Sequence, residues 1–150
     1  MNQEERSTWV STIVTPVAFV VYAIVILGRA DGGSLAQVPY VSTMLWTVGA
    51  SIVAMIAGNI VAAIAAAVGT AITSPDDVDK LDRTDERDTA ITRRGEYIGF
   101  YVLSVGVVGA LALTMLEAEH FWIANAIYLA FAVSSVVASV VKLVAYRRGF

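Results

Sequence analysis

Residues 97–116 read YIGFYVLSVGVVGALALTML, twenty consecutive residues without a charge. A helix rises about 1.5 Å per residue, so this run matches the hydrocarbon core of a bilayer, about 30 Å thick. A helix on the surface of a soluble domain carries a polar face at the 3.6-residue period, and this one carries none. Three more apolar runs surround it, at 9–28, 40–68 and 121–145. Hydrophobic residues make up 57% of the chain and charged residues 15%, against roughly 25% charged in a soluble domain. In lipid the backbone finds no partner but itself, and runs this long satisfy it as helices. The pattern predicts an all-α membrane protein, a four-transmembrane-helix bundle built as one domain over residues 1–150. The runs at 40–68 and 121–145 exceed the core thickness and are expected to tilt or project.

Lys and Arg set the expected orientation. Nine of the ten lie in the N-terminal arm (Arg6), between the second and third runs (Lys80, Arg83, Arg87, Arg93, Arg94), or at the last helix end and tail (Lys142, Arg147, Arg148). Arg29 stands by itself in the remaining connections. Both termini and the segment 73–96 are therefore expected in the cytoplasm, with Trp9, Tyr97, Tyr101 and Tyr146 at the inner interface and Tyr40, Phe121 and Trp122 at the outer one. Lys142, one turn inside the last helix end, is placed to snorkel to headgroups. The first run follows Glu4, Glu5 and Arg6, is too long for a signal-peptide core, and reads as a retained helix. Ser51-Ile-Val-Ala54 resembles Ser135-Val-Val-Ala138, which suggests two parallel-related helical hairpins or a chance likeness among small residues.

Composition also excludes. The chain has no cysteine, hence no disulfide, no thiolate metal site and no redox pair. A net charge of −3 leaves no basic footprint for direct nucleic-acid binding. There is no histidine pair, nucleophile elbow or glycine-rich phosphate loop, so neither enzyme chemistry nor a cofactor is expected. No Asp or Glu sits within an apolar run, which argues against proton-coupled transport. His120, beside Glu117 and Glu119, reads as an interfacial polar residue. Asp76, Asp77, Asp79 and Asp82 lack the spacing and glycine of a calcium loop, so no metal site is expected.

Among lipid-facing runs the small and polar residues carry the information. Gly95, Gly99, Gly106 and Gly109 form one stripe, and Ala50, Ala54, Gly58, Ala62 and Ala66 another; they are expected to pack against each other or against a second copy. Thr8, Thr12, Thr15, Phe19 and Tyr22 share a face of the first run, and Asn125, Tyr128, Ala132, Ser135, Ser139 and Lys142 a face of the last. These read either as interhelical hydrogen bonding or as a polar path between the two helices. Pro16 removes a backbone donor and frees the Thr12 carbonyl, predicting a kink. Asn59, in the inner half of the second run, needs a partner.

The segment 73–96 holds eight of the thirteen acidic residues and five of the ten basic ones. Ser74-Pro75-Asp76-Asp77 has the order of a helix start, and a second start near Thr84 should run into the third span. Asp85, Glu86, Arg87, Asp88, Arg93 and Arg94 are the candidates for docking a protein partner. Asp85-Glu-Arg-Asp88, followed by Ile91, Arg93-Arg-Gly-Glu96 and the glycine-rich run, resembles small bacterial membrane proteins of a domain-of-unknown-function family, over residues 85–150. That resemblance implies an accessory protein of the bacterial inner membrane, in a group sometimes encoded near small transcriptional regulators, with no established activity. Two functions follow as expectations: a non-catalytic accessory or regulatory module that docks a cytoplasmic partner, or a small-solute or ion permease or channel. Four short helices enclose little space, so the second requires a homodimer or larger oligomer.

Overall fold

The computed structural model describes residues 3–73 and 86–148. Its elements are α1 (Gln3–Ala30), a single 3-10 turn (Leu35–Gln37), α2 (Val41–Thr73), α3 (Glu86–Met115) and α4 (His120–Arg148). Each of the four helices contains a stretch long and apolar enough to cross a membrane. All are longer than the apolar runs within them, because the polar flanks continue the helix. α3 is unbroken from Glu86 through the third span to Met115, and the helix start expected near Thr84 lies outside the described residues. α1 likewise continues through Pro16. The proposed cap at Ser74-Pro75, the acidic cluster from Asp76 to Asp82 and Asp85 lie outside the described residues.

The helices pack in the order α2, α1, α4, α3, with interfaces between neighbours and no comparable interface between α2 and α3. This corrects the expectation that the glycine stripe of the third helix meets the alanine ladder of the second. The connection at 116–119 is short and makes α3 and α4 antiparallel neighbours, whereas 74–85 is long enough to impose no adjacency. A parallel pseudo-twofold would demand an α2–α3 interface equal to the α1–α4 one, so the two hairpins are not related in that way here. No residue in the most apolar window of α2 is buried.

Where α3 meets α4, the absence of side chains is what permits contact. A Cβ at Gly95 would lie 2.5 Å from Lys142 Cγ and 2.9 Å from the Ala138 carbonyl. One at Gly99 would lie 2.9 Å from Ala138 Cβ, and one at Gly106 would overlap Ala130. Gly109 has nothing within 4 Å and is exposed, and Ala110 is buried in its stead. The reason is geometric: a four-residue step from Gly106 stays on the packed face, while a three-residue step turns off it. α2 shows the same drift. Gly58 meets Val10 of α1, with Ala62 half-buried below it, but Ala54 is exposed. A strict four-residue ladder rotates by about 40° per step on a helix and cannot keep all its members on one face.

The principal apolar cluster sits at the end opposite the termini. Tyr22, Ile26, Val38 and Phe121 form it, with Leu35, Ala36, Tyr40 and Met44 packed around. The connection after α1 turns at Asp31 and Gly32, both at positive φ, and then lays its apolar residues into this cluster. After α3 the chain reverses at Glu117, φ 53°, with the Ala118 N–H donating to the Leu113 carbonyl at 3.0 Å, a Schellman closure without the usual glycine.

Candidate functional site

α1 and α4 run antiparallel, and one register aligns their polar residues. Ser11 Oγ and Ser139 Oγ are 3.2 Å apart, and Thr15 Oγ1 and Ser135 Oγ 3.3 Å. A further two turns along, Tyr22 meets Tyr128 edge-on at 5.1 Å between ring centroids. Tyr22 Oη donates to Asn125 Oδ1 at 2.8 Å, and Asn125 Nδ2 donates to the Phe121 carbonyl at 2.8 Å. Tyr22, with 2% of its surface exposed, is the most deeply buried large side chain among the described residues. Thr12 does not join the seam: its hydroxyl returns to the Thr8 carbonyl of its own helix. Hydroxyls that pair across the interface are satisfied by protein and need no water.

Beside this seam lies a groove between α1, α2 and α4, a cavity of about 410 Å³ whose lining includes Thr15, Ser51, Met55, Tyr128 and Ser135. Ser51 Oγ donates to the Val48 carbonyl and Asn59 Nδ2 to the Met55 carbonyl, so both side chains donate within their own helix.

The second candidate region is the start of α3. Glu86, Arg87, Arg93 and Arg94 are exposed, while Asp88, Ile91, Gly95 and Gly99 are buried. Those four buried positions recur at helical spacing, so Asp88 begins the face turned into the protein. Asp88 is 3% exposed and is not available to a partner, which corrects its place among the docking candidates. At the same end Arg6 is 7% exposed; neither of these buried charges is free. The Lys142 stem lies over Gly95 and its Nζ reaches Glu96 Oε1 at 3.4 Å. Arg147 stands 5.8 Å over the Trp9 ring and ties the end of α4 to the start of α1.

Several interhelical contacts escaped sequence reasoning. Ser11 lies one helical turn before Thr15 and was legible only once the α1–α4 register was known. Ser134 Oγ donates to the Gly99 carbonyl at 2.8 Å, and Arg29 Nη1 donates to Thr43 Oγ1 at 2.7 Å. Neither pairing has a sequence signal, because each depends on which helices become neighbours. Among the described residues no group of three or more His, Cys, Asp or Glu is placed to hold a metal ion.

Four apolar helices of this length, paired through small residues and hydroxyls, define the class: a multi-pass helical membrane protein. Comparison with protein-family models, with curated proteins and with solved structures gave no match.

Proposed function

We propose that this protein is a non-catalytic accessory module of the bacterial cytoplasmic membrane, with both termini inside, that docks a cytoplasmic protein partner at the start of α3. The observation that carries this reading is the division of that segment into two faces. Asp88 and Ile91 hold it against the protein, while Glu86, Arg87, Arg93 and Arg94 are presented outward. The helix is continuous with the apolar part of α3, so the charges are displayed on a rigid stalk rather than a loop. Pre-organisation of this kind lowers the ordering cost of association. The resemblance around Asp85-Glu-Arg-Asp88 adds the bacterial compartment to this proposal.

Affinity capture in mild detergent tests it, comparing the native chain with Arg93→Glu/Arg94→Glu. Proteins that bind through this face should be lost from the charge-reversed sample, while its helicity and elution volume stay unchanged. Identical partner sets from the two samples reject the proposal. The groove beside Thr15, Ser51, Tyr128 and Ser135 favours a second reading, a permease or channel completed by oligomerisation. In that case Ser135→Leu should reduce solute flux in proteoliposomes; absence of flux of any ion or small solute through the native protein removes it.

A further inference from the structure

α2 and α4 both pack on α1 and make no comparable interface with each other. The groove left between them, about 410 Å³, is lined by Ala18 of α1, Ile52 and Met55 of α2, and Tyr128 and Phe131 of α4, beside the paired Thr15 and Ser135. Small-molecule sites are clefts of about 300–1,000 Å³, mainly apolar with a few fixed polar groups, and helix bundles hold them between helices. Among the described residues no Asp, Glu, Lys or Arg contributes to the lining.

The hydroxyls around the groove have protein partners, with one exception. Thr15 and Ser135 bond each other, and Ser51 donates to the Val48 carbonyl. Tyr128 makes no hydrogen bond among the described residues; its contacts are through the ring, at 5.4 Å from Phe19 and 5.1 Å from Tyr22 between centroids. Those two rings hold the phenol in place, and its hydroxyl is not sealed inside the protein. Tyr128 lies eight residues into α4, about 12 Å from the helix start. Within the hydrocarbon there is no water to serve it, and a donor without an acceptor is costly. Phospholipids keep their ester carbonyls at the interface, at the level of Trp122, and bring only acyl chains further in. The acceptor has to arrive on a different kind of molecule.

We propose that this groove is a binding site for a neutral, lipid-soluble carbonyl compound with a flat conjugated body, which enters from the bilayer and accepts a hydrogen bond from Tyr128 Oη. The uncharged lining excludes an ionic ligand, because nothing there offsets the loss of its hydration. Phe131, 56% exposed, and the Met55 thioether supply faces for a planar body. The site requires neither docking at the start of α3 nor passage of a solute, so it stands or falls separately from both readings of function.

Photolabelling of the full chain in liposomes tests this. Benzophenone, a neutral diaryl ketone that couples to adjacent C–H bonds on irradiation, is the probe, and the label is mapped by mass spectrometry. Fluorenone and fluorene are the competitors, differing only in carbonyl against methylene. In the native chain the label should concentrate on Met55 and Phe131. Fluorenone should displace it about fivefold more effectively than fluorene, the factor for one hydrogen bond of about 1 kcal/mol. Tyr128→Phe keeps the ring contacts and should erase that difference. Ile52→Trp, at an exposed position, should fill the groove and abolish the label, while Val61→Trp on the opposite face of α2 should not. Label spread evenly over the lipid-facing residues overturns the proposal. Equal displacement by the two competitors in the native chain also overturns it, as does a fluorenone preference that survives in Tyr128→Phe. Disulfide-linked Ile52→Cys dimers, with no label in the native groove, overturn it in favour of a second copy of the chain.

Discussion

Asn125 shows how much one polar residue decides inside an apolar chain. Its amide spans two contacts, accepting from the buried Tyr22 hydroxyl and donating to the Phe121 carbonyl. Replacing Asn125 with Leu leaves the Tyr22 hydroxyl without its acceptor at a position 2% exposed, at an expected cost of about 1–3 kcal/mol. Adding Tyr22→Phe removes the orphaned group and should recover part of that loss, as read from unfolding in mixed micelles with increasing dodecyl sulfate. A double variant no more stable than Asn125→Leu would show that the bond is incidental. The seryl and threonyl pairs nearer the termini should matter less, since interhelical hydrogen bonds in membranes average about 0.6 kcal/mol. Apart from Ser11, each of these residues was legible in the sequence as polar and periodic; whether it bonded across a seam or to its own helix was not. Thr12 and Thr15 are the same residue type three positions apart, and only Thr15 reaches α4.

At the scale of elements, α3 and α4 are joined by close approach of backbones rather than by large side chains. Gly99 is one point of that contact to test. A Cβ there would stand 2.9 Å from Ala138 Cβ and 3.3 Å from the Ser134 carbonyl oxygen, and the Ser134 hydroxyl bonds the Gly99 carbonyl itself. Gly99→Ala should therefore push the helices apart and cost about 1–3 kcal/mol, the range for overpacking. Gly109→Ala is the internal control: with nothing within 4 Å, it should be neutral or stabilise by up to about 1 kcal/mol through helix propensity. Equal effects of the two substitutions in the same micellar titration would refute the α3–α4 packing. Both glycines belong to one stripe in the sequence. Tertiary contact separates them, because the seam follows the 3.6-residue turn and the stripe does not follow it throughout.

At the scale of the whole molecule, the described residues pair as four helices in a row, with the start of α1 and the end of α4 on the same side. The lack of native cysteine makes its orientation simple to measure. Single cysteines replacing Arg93 and Glu119, both exposed, report on opposite ends. A membrane-impermeant maleimide applied to intact cells should label the Glu119→Cys protein and leave Arg93→Cys unlabelled until the cells are opened. The reverse pattern would invert the proposed topology and remove the docking face from the cytoplasm. The row also explains the burial pattern: α4 touches both α1 and α3, while α2 has only α1 as a substantial neighbour and turns an apolar surface outward. In lipid such a surface carries no penalty, since acyl chains solvate it as well as protein does.

The membrane class and the four helices were determined by the sequence alone, because apolar length is a one-dimensional property and the bilayer reads it directly. The polar faces of α1 and α4 were legible for a similar reason, being periodic along a single helix. Helix order, the antiparallel register that pairs Ser11 with Ser139, the burial of Arg6 and Asp88, and the division of the glycine stripe were decided only in the tertiary structure. Hydrophobicity is nearly uniform around these helices and does not favour one neighbour over another. The choice falls instead to small steric gaps, single hydroxyls and the lengths of the connections, which act only when two helices meet.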